Sequence, residues 1–163
     1  MTHPDAFDDA PELRVLADYQ FGRGAGAALF PPTADLVVKR TSSGRPEQIL
    51  ADAGRLVSHG TDGRFTLGIE GGRQLHEALD EPTGRVVVGD DSEPFVRDGK
   101  NVFAKFVQDA DPDIRPGDEV LVVHYEGHLL AVGRAELAAD AMRDFDSGMA
   151  VNVRDGAGDA EAQ

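Results

Sequence analysis

With 163 residues, 40 % of them hydrophobic, the chain can bury the core of one ordinary domain or of two small ones. It has no cysteine, which excludes disulfides, cysteine-ligated zinc and thiol nucleophiles together. Thirty Asp and Glu against 16 Lys and Arg give a net charge of −14, so affinity for an acidic partner cannot come from the charge of the whole molecule. The 19 glycines and 9 prolines predict many turns between short elements, hence a β-rich fold. There is no long apolar run and no basic-then-apolar leader, so a soluble cytoplasmic protein is expected.

Residues 1–10 (MTHPDAFDDA) are polar and acidic and are expected to be frayed. Asp8, Asp9 and Pro11 then start a helix over about 11–21, with Leu13, Leu16, Ala17 and Phe21 at helical spacing and Tyr19 off that stripe. In the next stretch Gly22, Gly24 and Gly26 alternate as in a phosphate loop. A helix precedes them, however, and Pro31-Pro32 closes the run, where a phosphate loop needs a preceding strand or a terminal Gly-Lys-Ser/Thr; a turn plus a helical turn (25–30) is expected. Four short strands, 36–41, 47–52, 55–59 and 64–69, follow with Gly-containing turns between them, as in an antiparallel meander. A short helix over 71–79, with Leu75 and Leu79 on one face, completes a small α+β domain over 11–80, and 81–84 is the linker.

The second half restarts with an apolar strand, 85–89, and a short helix within 90–99 that Gly99 stops. A strand over Val102–Val107, a Pro- and Asp-rich reversal, and strands at 119–123, 129–137 and 149–154 follow, with a helix at 138–145. Five short strands with two helical turns predict a strongly bent β-barrel over 85–154, and 155–163 reads as a disordered tail.

Residues 85–154 resemble the PUA domain, an RNA-binding β pseudo-barrel, through GKNVFAKFV, RPGDEV and LLAVGRA in that order. The nearest likeness is to the C-terminal region of archaeosine tRNA-guanine transglycosylase and its paralogue archaeosine synthase. In the first half ADYQFGRGAGAALF, SGRPEQI and DGRFTLGIEGGRQL are similar to the domain that precedes PUA in those enzymes. The transglycosylase barrel, its catalytic aspartates and its zinc site have no counterpart here, so no catalytic role carries over. Only three of the basic residues are lysine, and this arginine-biased, acidic composition resembles proteins of salt-loving archaea, whose carboxylates stay hydrated at molar salt. An acidic mesophilic protein, or one with a basic partner, is the other explanation.

The resemblance implies that the loop Gly99-Lys100-Asn101-Val102 approaches RNA. Gly permits close backbone approach, Lys100 suits a phosphate, and Asn101 can donate and accept at a sugar or base edge. The same residues also read as a helix cap followed by a strand. Lys105, the neighbouring Arg97, and Asn152 and Arg154 of the last strand join the candidate set. By alternation Val102, Ala104 and Phe106 face one way and Phe103, Lys105 and Val107 the other, and Val102, Phe103 and Phe106 are expected in the core. His124 and His128 flank a Gly-containing hairpin turn and not a helical metal pair, and Asp109, Asp111 and Asp113 read as a capped turn and not a calcium loop. No metal, cofactor or catalytic centre is expected; an enzyme on a PUA-like barrel would need more than the scattered Lys105, Arg134 and Glu136.

The expected function is non-catalytic binding of tRNA or another structured RNA, with docking to a separate RNA-modifying enzyme as the alternative. Neither DNA nor a membrane is an expected partner.

Overall fold

The computed structural model describes residues 9–159, which form two compact units that divide between Asp80 and Glu81. In the first unit α1 (Ala10–Phe21) and α2 (Ala25–Leu29) lead into an antiparallel sheet in the order β1 (Val37–Arg40), β2 (Pro46–Ala51), β3 (Gly54–His59) and β4 (Phe65–Leu67). Helix α3 (Ile69–Ala78) closes the unit. Ala10 is buried at the start of α1, so the frayed start expected for residues 1–10 ends sooner; positions 1–8 lie outside the described residues.

Helix α1 buries Ala10, Leu13 and Ala17, while Leu16, expected on that stripe, is exposed. The shift arises because Gln20 fastens the helix to β4, its amide donating to the Phe65 carbonyl and accepting from the Phe65 N–H, both at 2.8 Å. Phe65 in turn packs on Phe30 with ring centroids 5.7 Å apart. The glycine run is a turn: Gly22 and Gly24 take positive φ, and the Gly26 N–H, the donor a phosphate would need, goes to Asp18 Oδ1 at 2.7 Å. Helix α3 starts two residues earlier than expected because its Gly71 lets the backbone lie directly on the Leu56 carbonyl, where a Cβ would clash.

The second unit is a curled, mixed sheet of a PUA-type pseudo-barrel, in the order β6-β10-β9-β8-β5-β7. Its strands are β5 (Arg85–Val88), β6 (Val102–Phe103), β7 (Asp109–Ala110), β8 (Glu119–His124), β9 (Leu129–Ala135) and β10 (Met149–Gly156). Strands β5 and β8 pair in parallel and every other neighbour is antiparallel. Helices α4 (Glu93–Arg97) and α5 (Ala139–Asp144) pack on a core that includes Val86, Val122, Leu130, Val151 and Met142.

Three expectations change here. The strand predicted over 102–107 has only two residues, after which Ala104–Phe106 form a 3₁₀ turn. Its partner β10 begins at Met149, opposite Phe103, so beyond that point no ladder remains to extend. Phe103 and Phe106, expected in the core, consequently stand 46 % and 42 % exposed. At the other end β10 runs past 154 to Gly156, and buried Ala157 donates its N–H to the Leu130 carbonyl at 2.8 Å, so the tail begins later than expected.

Candidate nucleic-acid interface

The corner after α4 is built by backbone geometry. Gly99 sits at φ 92°, the Gly99 N–H reaches the Val96 carbonyl at 3.0 Å and the Lys100 N–H reaches the Phe95 carbonyl at 2.9 Å. This is the double bond of a Schellman cap, which ends a helix where a glycine can turn left-handed. Asn101 then ties the corner to the last strand, its Oδ1 accepting the Val153 N–H at 2.9 Å. Gly156 lies directly beneath, where any Cβ would strike the Arg97 carbonyl and the Gly99 nitrogen.

The predicted residues divide by what they do. Arg97 is buried; its Nε bonds Glu93 Oε2 at 2.9 Å and its Nη1 the Gly158 carbonyl at 3.2 Å, so it braces the corner from within. Val102 is core. Asn152 is exposed on β10 directly opposite Arg134 of β9, which in turn stands opposite Glu119 of β8. Arg154 follows with both terminal nitrogens on Glu119, Nη2 at 2.8 Å, and Arg134 pairs with Glu136 at 3.1 Å. Strand register thus draws Arg134 into the same strip as Asn152 and Arg154, a placement invisible in the linear sequence.

Lys100 and Lys105 differ from these arginines. Both side chains are exposed and neither pairs with a carboxylate among the described residues; the Lys105 ammonium lies 5.1 Å from the Phe106 ring centroid. In the same unit Arg85, Arg97, Arg134, Arg143 and Arg154 are each held by an acid. An uncompensated ammonium beside an exposed ring suits a phosphate next to a base or sugar face.

The histidine region is arranged differently. His124 is buried, donates from Nε2 to Asp90 Oδ1 at 2.6 Å and accepts the Glu126 N–H at Nδ1 at 3.1 Å. Asp90, His124 and Glu126 lie close enough to share a cation, yet that hydrogen-bond pattern occupies both ring nitrogens, so a metal would have to displace one bond. The ring of His128 is 5.9 Å away across the turn. The Asp90 carboxylate, foremost among its neighbours, raises the Tyr125 phenol above the usual tyrosine range. Asp111 caps its turn as expected, accepting from the Gly84 N–H at 2.7 Å and the Asp113 N–H at 3.0 Å.

Comparison with known proteins agrees with both units. The family model of the patch-forming domain C2 of tRNA-guanine transglycosylase matches residues 11–82, and that of the PUA domain matches residues 84–157. The tRNA-guanine(15) transglycosylase of Thermococcus kodakarensis is 47 % identical over 154 residues, 94 % of this chain and 26 % of the relative. That of Pyrococcus furiosus is 48 % identical over 145 residues, 88 % and 24 % respectively. The chain therefore spans about a quarter of the length of the curated relatives it matches. A hypothetical protein from Pyrococcus horikoshii shares the fold at TM-score 0.72 and 24 % identity, covering 94 % of this chain and 93 % of that one. A conserved PUA domain protein from Thermoplasma acidophilum does so at TM-score 0.65 and 21 % identity, covering 97 % of each. No helix among the described residues is long and apolar enough to cross a membrane.

Proposed function

We propose that this chain, which belongs to the PUA-domain family and carries the C2 domain of tRNA-guanine transglycosylase ahead of its PUA domain, is a non-catalytic module that binds tRNA or another structured RNA. The observation that carries the proposal is the pair of uncompensated lysines, Lys100 and Lys105, on the exposed corner of an otherwise acidic unit. Phosphates are gripped there, Asn152 offers amide donors and acceptors alongside, and shape more than base sequence is read. A non-catalytic role is supported by the extent of the likeness, which covers about a quarter of the curated relatives through the C2 and PUA domains.

Filter binding with total tRNA in high KCl tests this. The Lys100→Glu/Lys105→Glu double variant is expected to lose about tenfold or more in affinity, since two phosphate contacts become two repulsions. Equal binding by the two proteins overturns the assignment. The acidic surface fits the cytoplasm of a salt-loving archaeon, where screening within ~3 Å at 1 M salt removes the self-repulsion of the carboxylates; thermal stability that falls as KCl rises argues against that setting.

A second reading has its own support. In the relatives named tRNA-guanine(15) transglycosylase, about three quarters of the length lies outside the part that this chain matches. The module then docks on, or regulates, the catalytic body of such an RNA-modifying enzyme. Stable co-purification with that body, with little RNA affinity of its own, is its signature.

A further inference from the structure

Helix α1 has two apolar faces where a surface helix needs one. Ala10, Leu13 and Ala17 face the core of the first unit. On the other side Val15, Leu16 and Tyr19 form a second stripe at helical spacing, with Val15 68 % and Tyr19 93 % exposed. Gln20, bonded twice to Phe65, fixes the helix rotation, so this outer stripe cannot turn inward.

The charges beside the stripe select what covers it. At the exposed aromatics of the second unit, Phe103 and Phe106, the neighbour is Lys105, which suits a phosphate backbone. Beside Val15, Leu16 and Tyr19 the exposed charged residues of the helix itself are Glu12 and Asp18, which repel one, and a single cation, Arg23, follows past its end. A second copy of the chain would bring those same carboxylates to a seam of three apolar side chains, against the roughly 800 Å² per partner of a stable interface. The remaining occupant is another protein surface, apolar with a basic rim and large enough to add contacts around the seam. The curated relatives carry such a mass: about three times the length of this chain lies outside the matched region.

We infer that the Val15-Leu16-Tyr19 face of α1 is the docking surface for the catalytic body of a tRNA-guanine transglycosylase, met through an apolar patch bordered by Lys or Arg opposite Glu12 and Asp18. The inference rests on the docking reading above and assigns it a surface. Tyrosine is the residue type that anchors such contacts, with a large ring and few torsions to immobilise.

The test uses the full chain, tagged and expressed in its own source organism, with a photo-crosslinking phenylalanine at position 19. Expected are recovery of a polypeptide matching the remaining part of the transglycosylases, a crosslinked peptide from that polypeptide, and about tenfold less of it with Val15→Glu/Tyr19→Glu. Both positions are exposed, and an unchanged circular dichroism melt of the variant shows that the loss is not unfolding. If the body co-purifies equally with the variant and the crosslink yields none of its peptides, the surface assignment fails while the docking reading stands. If the unmodified chain recovers no such polypeptide, both fail. A crosslink to RNA or to a second copy overturns the inference in favour of that occupant.

Discussion

The two units carry the same number of cations in unlike surroundings. Residues 1–80 hold 8 Lys and Arg against 12 Asp and Glu, whereas residues 81–163 hold 8 against 18. The unit that matches the PUA-domain model is thus the more acidic one. What distinguishes it is how its cations are deployed: the arginines of the sheet face are neutralised within the protein, and the lysines of the corner are not. Acidity then acts as a filter. Under the proposed function it disfavours polyanions over most of the unit, and the affinity is local to the two lysines of the corner although the field of the unit is repulsive.

Four substitutions sharpen or break that contrast. Phe65→Ala removes the ring that joins Phe30 to the sheet of the first unit and is expected to cost about 3–5 kcal/mol there. Denaturant unfolding should then show the first unit melting early while tRNA binding by the second persists; loss of both together would show that the units are not separable. Asn101→Ala strips the acceptor from the Val153 N–H and is expected to destabilise the corner by about 1–3 kcal/mol. Faster hydrogen exchange at Val153 together with weaker RNA binding would confirm that the amide's role is to hold Lys100 in place, and unchanged exchange would refute it.

Glu119→Gln tests the idea of internal neutralisation. It releases Arg154 from its bidentate carboxylate, so RNA affinity should rise about 5- to 10-fold at moderate salt, with the log–log salt slope steeper by ~0.9. A flat response would mean that the β10 arginine plays no part in binding. The smallest effect concerns Tyr125. Its phenol is raised by the Asp90 carboxylate, so spectrophotometric titration should find it ionising later than free tyrosine, and Asp90→Asn should return it toward the ordinary value. Because the folded state holds that proton more tightly, any stabilisation is present below the unfolded tyrosine value and fades as pH rises through the folded one.

Some of this was legible from local signals. Glycine and proline punctuation located most of the helices and strands, and GKNVFAKFV marked the corner. The failures share a cause. A strand over 102–107 follows from apolar content alone, but strand length is decided by how far the partner extends, and β10 stops opposite Phe103. Leu16 fits a helical stripe as well as Ala10 does; which stripe turns inward depends on Gln20 meeting the Phe65 backbone 45 residues away. Arg97 and Arg154 look alike as surface cations, yet one is buried against Glu93 and the other clamped by Glu119 across two strands.

The sequence by itself determined the fold class of each half, the acidic balance and the position of the glycine corner, because turn chemistry and charge are properties of neighbouring residues. Only the tertiary structure decided which cations remain available, that Phe103 and Phe106 face solvent, and that Arg134 stands in line with Asn152. Those outcomes depend on strand register and on long-range pairing of side chains. A shift of one residue in register would send Arg134 or Asn152 to the opposite face of the sheet.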